Sequence, residues 1–148
     1  MPQIVRSALV EAPPSAAYAV VVDVERYPEF LPNCASVQVL ETHASGLVAA
    51  VTVVGKGLTE QFITSNAHEP DQSVLMTLRE GPFQHLEGEW RFTPLGDLGC
   101  RIDMRLDFAP RGVLARILSG LADAVANRLV DAFSQRVVQQ YQLQQQSE

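Results

Sequence analysis

The sequence predicts an α+β domain in which an antiparallel sheet packs against one long C-terminal helix. Between residues 35 and 109 the chain is a series of short runs rich in Val, Ile, Thr and Phe, separated by turn residues. The separators are shorter than the dozen or so residues that a parallel crossover requires. After Pro110 the apolar residues recur at spacings of three and four, which is the helical period.

The elements follow one another in this order. We predict a first strand at 4–11, a short helix at 16–24 and a brief turn at 29–32. Further strands are predicted near 35–42, 46–55, 58–68, 72–80, 84–93 and 99–109. The long helix begins after Pro110 with a bend near Gly120, and the glutamine-rich segment 139–148 is expected to fray.

The charges on the last two strands predict their register. Placing Trp90 opposite Met104 puts the apolar sets on one face and sets Glu89 against Arg105. A slip of two residues would instead oppose Glu89 to Asp103, and like charges in that position are unfavourable. We therefore predict the first register.

Composition bounds the class of protein. With 148 residues the chain fits one domain, 1–148, and it carries a formal net charge of −6. Ten of its eleven basic residues are arginines, which argues against general nucleic-acid or DNA binding and leaves room for a specific arginine patch. The chain lacks an evident signal peptide or a long apolar run, so we expect a cytoplasmic protein.

Motifs for catalysis or metal binding are weak. The histidines His43, His68 and His85 have no ligand spacing and are expected on the surface, and Cys34 and Cys100 are expected to stay reduced. The sequence has no GxSxG motif, and the glycines around residue 56 fit a hairpin turn. The pair Glu87 and Glu89 fits a solvated charge ladder. We predict no metal, no required cofactor and no catalytic residue.

A bent sheet crossed by one helix leaves two interpretations open. The apolar inner side chains could enclose a pocket for a hydrophobic small molecule, which is the usual character of ligand sites. The same side chains could also fill the space as solid core.

Four segments resemble a known family. They are YPEFLPNC at 27–34, GPF at 81–83, WRF at 90–92 and VDAFSQR at 130–136. Together they resemble the family that joins coenzyme Q-binding proteins, ribosome association toxins (RatA) and polyketide cyclase/lipid transport proteins. The resemblance spans residues 3 to 141. It implies a START-like, Bet v 1-like helix-grip fold, with a seven-stranded antiparallel sheet around the C-terminal helix and one or two short helices after strand 1.

The resemblance implies a tunnel for an isoprenoid lipid, with ubiquinone first, in a quinone carrier or chaperone that supports respiration. Each buried CH2 contributes about 0.8 kcal/mol, so a few isoprene units could offset the cost of association. Candidate donors to the quinone head are Arg79, Tyr27 and Asn33.

The resemblance also places the tunnel. By analogy the entrance lies between 27–32, the turn at 81–86 and 114–118. Trp90 and Phe133 also fit ordinary core. Transient contact with the inner membrane is expected through exposed aromatics at 27–30 and Phe83. The predicted ligand contacts are Tyr27, Phe30, Leu31, Phe83, Leu86, Trp90, Met104, Leu114, Leu118, Val125, Leu129 and Phe133.

Two alternatives follow from the same family. The first is a toxin that binds the large ribosomal subunit and blocks subunit association, with Arg111, Arg116, Arg128 and Arg136 as its contacts. The second is a polyketide cyclase-like enzyme, with Glu60 as a general base inside the cavity.

Overall fold

The computed structural model describes residues 3–55, 57–97, 99–112, 115–116 and 121–146. Strand β1 (Gln3–Val10) leads into helix α1 (Pro14–Val22) and a 3₁₀ helix (Val24–Glu29). Six strands follow, and helix α2 ends the described chain. These are β2 (Cys34–His43), β3 (Gly46–Gly55), β4 (Leu58–Glu69), β5 (Ser73–Glu80), β6 (Phe83–Leu95), β7 (Gly99–Pro110) and α2 (Ala122–Gln146).

The seven strands form one antiparallel sheet in the order β1-β7-β6-β5-β4-β3-β2. This confirms the predicted fold class. The pairing of β6 with β7 places Trp90 opposite Met104 and Glu89 opposite Arg105, so the predicted register is also confirmed. Bulges interrupt the ladder in β2 and at the start of the β4–β5 pair.

Helix α1 begins two residues earlier than predicted, at Pro14, and ends at Val22. Proline suits the first turn of a helix because its φ is already helical and its missing N–H would have no partner there. The 3₁₀ helix from Val24 to Glu29 was not predicted, and the brief turn expected at 29–32 follows it at 30–33.

Helix α2 continues to Gln146, whereas the sequence predicted fraying from residue 139. Val137 is fully buried and Tyr141 packs partly against the core, so the helix is anchored into its last turns. Glutamine is also a good helix former. Residues 112, 115 and 116 are helical, which agrees with a helix that begins just after Pro110, and the bend predicted near Gly120 lies outside the described residues.

One stripe of α2 covers the inner face of the sheet beside β1, β7 and α1. It consists of Ala126, Val130, Phe133 and Val137, at the spacing of an amphipathic helix. At the edge of the sheet, Arg6 of β1 donates to Asn127 at 2.7 Å and forms an ion pair with Asp123 at 3.1 Å. These contacts fix α2 against β1.

The outer face of the sheet carries the predicted charge ladder. Arg105 lies 2.7 Å from Glu87 and 3.8 Å from Glu89, and Arg91 lies 3.1 Å from Glu89. The two glutamates therefore serve as partners for arginines on the surface away from the core.

Candidate functional site

The part of the inner sheet face that α2 leaves uncovered is lined by apolar side chains, and we call this surface the inner groove. Its side chains point to the inner face from β3 to β6 and from α2, and they are only partly buried. They pack against a fully buried cluster that includes Phe83, Leu86 and Met104. The groove residues are Val53, Leu58, Phe62, Met76, Leu78, Trp90 and Leu129.

Two glycines shape this groove. Gly81 has φ +148°, and a Cβ there would lie 2.4 Å from the Cβ of Phe62, so only glycine lets the β5–β6 turn approach β4. That approach brings the rings of Phe62 and Phe83 to 5.3 Å, edge to face. Gly88 faces inward, where a Cβ would come within 3.2 Å of the Met76 methyl.

An aromatic cluster adjoins the inner groove at Trp90. The ring of Phe133 lies 5.1 Å from Tyr27, 5.2 Å from Phe30 and 4.6 Å from Trp90. The Tyr27 hydroxyl donates to the Val21 carbonyl, and burial raises the pKa of this phenol. The Tyr27 hydroxyl therefore donates to the backbone of α1 and is not free to donate to a ligand.

The structure gathers most of the predicted lining residues into two adjoining clusters that share Trp90 and Leu129. Leu31 lies with the aromatic cluster, and Val125 is partly buried on α2. Leu114 and Leu118 lie outside the described residues. Ligand contact by any of these residues stays a prediction.

The prediction of an exposed aromatic entrance was wrong for Phe83. Its side chain is 7% exposed because the Gly81 turn folds it back onto Phe62 and the buried cluster. Tyr27 and Phe30 likewise pack against Phe133. In the described part of the chain, no helix is long and apolar enough to span a bilayer.

The other two head-group candidates lie away from the inner groove. Arg79 is on the outer face and lies 3.5 Å from Glu41. Asn33 adopts a left-handed turn, and its amide donates to the Val54 carbonyl at 2.8 Å. Glu60 shares the inner face of β4 with Phe62, as its strand parity dictates.

Sequence reasoning missed a polar row on the inner face of β4. Thr64 and Asn66 are buried, and His68 is partly buried rather than on the surface as predicted. Asn66 Oδ1 and His68 Nε2 have no hydrogen-bond partner among the residues that the structure describes, and burial lowers the pKa of His68. These residues lie at two-residue spacing from Phe62 along β4, and this alternation was the sequence signal that could have placed them on the inner face.

Neither cysteine is paired. Cys100 is buried and Cys34 is half-buried, and burial raises the pKa of both thiols. Among the described residues, no cluster of three or more His, Cys, Asp or Glu could hold a metal ion.

A second concave site lies outside the core, where α2 faces the segment after the 3₁₀ helix. We call this cleft, of about 480 Å³, the helix cleft. Arg136 borders it, 2.6 Å from Glu29 and with its guanidinium 5.1 Å from the centre of the Phe30 ring. The lining residues are Phe30, Pro32, Arg128, Asp131, Ala132, Gln135, Arg136 and Gln139.

The arginines differ in whether they pair with a carboxylate. On the outer face of the sheet, Arg91, Arg101 and Arg105 all pair with carboxylates. Arg111, just after β7, and Arg128, on α2, are exposed and form no ion pair with any residue that the structure describes. Two exposed arginines therefore lack a described carboxylate partner despite the acidic total.

Comparison with known proteins agrees with this geometry. The family model for polyketide cyclase / dehydrase and lipid transport matches residues 10–134. The ribosome association toxin RatA of Pseudomonas aeruginosa is 44% identical over 137 residues, covering 92% of this chain and 95% of that protein. The mitochondrial coenzyme Q-binding protein COQ10 homolog B of Xenopus laevis is 29% identical over 125 residues, covering 80% of this chain and 51% of that protein.

Solved structures show the same fold. A START superfamily protein from Mycobacterium smegmatis superposes with a TM-score of 0.78 at 22% identity, covering 93% of this chain and 97% of that one. At this identity the likeness concerns the fold alone.

Proposed function

The chain belongs to the polyketide cyclase / dehydrase and lipid transport family, and we propose that within this family it is a ribosome-directed protein. It binds the large ribosomal subunit and blocks association with the small subunit. This activity is binding without catalysis, and it requires a cytoplasmic location.

The single observation that carries the proposal is similarity along nearly the whole chain to proteins named ribosome association toxin. The relative in Pseudomonas aeruginosa matches over 95% of its own length at 44% identity. A second toxin of that name, in Escherichia coli K12, is 40% identical over 142 residues. Both names describe action on ribosome association, and neither is an enzyme name.

The charge distribution supports a local contact with ribosomal RNA. A net charge of −6 opposes general attraction to a polyanion, so the binding surface has to concentrate its cations. Arg111 and Arg128 supply exposed guanidinium groups without a described carboxylate partner. Arginine suits this role because its planar fork can donate two hydrogen bonds to one phosphate.

Co-sedimentation with purified large subunits tests the proposal. The double variant Arg111→Glu/Arg128→Glu should lose binding by about tenfold or more, because two charge-assisted contacts become repulsive. The matched control, Arg79→Glu/Arg91→Glu, changes the net charge equally at two exposed arginines of the outer sheet face that are already paired. It should bind like the parent protein.

Three results decide the matter. Binding by the parent and by the control, but not by the double variant, supports the proposal. Equal loss in both double variants would indicate attraction by net charge alone and count against a local surface. Failure of the parent to bind large subunits, even at low salt, would overturn the proposal.

A second candidate is the carrier of ubiquinone or a related isoprenoid lipid. It is favoured by the partly buried apolar side chains of the inner groove. Its support among relatives is the distant coenzyme Q-binding protein. Mass spectrometry of an organic extract of the purified protein tests it, and an extract without stoichiometric isoprenoid lipid would count against it.

A further inference from the structure

Four exposed polar side chains of the helix cleft lack a partner among the described residues. Arg128, Asp131, Gln135 and Gln139 project from α2 at spacings of three and four residues, so they share one face of the helix. None of the four has a hydrogen bond or ion pair with the residues that the structure describes. Ala132 lies among them, and its small side chain leaves the centre of the cleft open.

A fixed guanidinium–ring pair, which we call the platform, forms one wall of this cleft. The guanidinium of Arg136 lies over the Phe30 ring at 5.1 Å and is held by Glu29 at 2.6 Å. The Arg136 side chain is only 13% exposed, so it is part of the structure rather than a mobile surface charge. Guanidinium planes and aromatic rings are the surfaces on which unpaired RNA bases stack.

We propose that the helix cleft binds one unpaired ribonucleotide of ribosomal RNA. Arg128 contacts the phosphate, and the base lies against the platform of Arg136 and Phe30. The amides of Gln135 and Gln139 can both donate to and accept from the base edge. Asp131 accepts a hydrogen bond from the ribose 2′-hydroxyl, a contact that DNA cannot make.

The volume and the charge of the cleft agree with this occupant. At about 480 Å³ the cleft falls within the range of small-molecule sites, about 300–1,000 Å³. A cleft that relied on positive charge alone would not contain Asp131. An acidic peptide would be repelled by that carboxylate, whereas a ribonucleotide offers it a hydroxyl donor.

The inference rests on the proposed ribosome binding, and its test separates the two. Equilibrium binding to purified large subunits is measured for the parent, Arg128→Gln, Gln135→Ala and Ala132→Phe, the last of which fills the cleft without changing charge. Each variant should raise the Kd by about tenfold, and Arg128→Gln should also lower the slope of log affinity against log salt by about 1. The control Arg91→Gln, on the outer sheet face, should leave both quantities unchanged.

Oligouridine RNA and its deoxy counterpart serve as competitors. RNA should displace the parent from large subunits better than DNA does, and Asp131→Ala should remove that difference. The thermal unfolding midpoint of each variant is measured first. It should match that of the parent, because these side chains lie on the helix surface. If the parent binds large subunits and the cleft variants bind equally well, the cleft assignment fails and the proposed function stands. If the parent does not bind, both fail together.

Discussion

Replacing Phe133 by alanine tests whether the aromatic cluster is structural. The Phe133 side chain is 2% exposed and lies within 5.2 Å, centre to centre, of three other aromatic rings. Removing a buried Phe side chain costs about 3–5 kcal/mol through lost transfer energy and the remaining cavity. Each aromatic pair contributes roughly 0.5–1.5 kcal/mol beyond its buried area. We therefore expect Phe133→Ala to cost a free energy in the upper half of the range of about 3–5 kcal/mol.

The expected loss is a large part of the total stability of a domain, about 5–15 kcal/mol. Urea unfolding followed by circular dichroism measures it directly, and the thermal midpoint should fall by roughly 8–20 °C. Phe133→Leu, which keeps most of the volume, should cost about 1.5 kcal/mol or less. Val5→Ala, at a side chain 57% exposed on the outer face, should change stability by about 0.5 kcal/mol at most.

A loss of less than about 1 kcal/mol for Phe133→Ala would refute the assignment of these rings to the core. It would then be simpler to regard them as the wall of a site that only a ligand completes.

Three further substitutions test the local structure. Gly81→Ala should destabilise the protein by about 2–4 kcal/mol, because of positive-φ strain and the clash with Phe62. The control Gly57→Ala, at positive φ in open space, should cost about 1 kcal/mol. Equal costs in urea unfolding would contradict the close approach of Gly81 to β4. Tyr27→Phe should cost about 1–3 kcal/mol because it leaves a helix carbonyl without its donor, and a neutral result in the same assay would contradict that hydrogen bond. His68 has a lowered pKa in the folded state, so the folded protein binds fewer protons than the unfolded chain. Its contribution to stability is therefore complete above the unfolded pKa of about 6.5 and declines as the pH falls below it. The urea midpoint of His68→Gln should depend less on pH than that of the parent between about pH 7.5 and pH 5, and an unchanged dependence would exclude this role.

The strands and their register could be predicted because the information is local. Alternation of apolar and charged residues in β6 and β7 defines two faces, and like-charge repulsion then selects one register. The pairing of Trp90 with Met104 needed nothing more.

The entrance could not be predicted for the opposite reason. The position of Phe83 depends on the close contact of Gly81 with β4, and the positions of Tyr27 and Phe30 depend on a 3₁₀ helix that folds back onto α2. These are contacts between distant parts of the chain, and no periodicity encodes them.

The polar row on β4 was missed because parity places its members on the face of Phe62, while the residues that surround them there are set by strand pairing. The register between β4 and β5 shifts between Ile63 and Thr64, so the neighbours of Asn66 and His68 do not follow from the sequence alone. The helix cleft needed the fold as well, because Phe30 and Arg136 are far apart in the chain.

Subunit joining is the measurement that tests the central proposal most directly. Purified small and large ribosomal subunits are mixed at a magnesium concentration that favours joining, and sucrose-gradient sedimentation measures the joined fraction. Adding the protein to large subunits before mixing should leave the subunits separate, with the protein in the large-subunit fraction. Full joining in the presence of excess protein, with the protein remaining at the top of the gradient, would contradict the account.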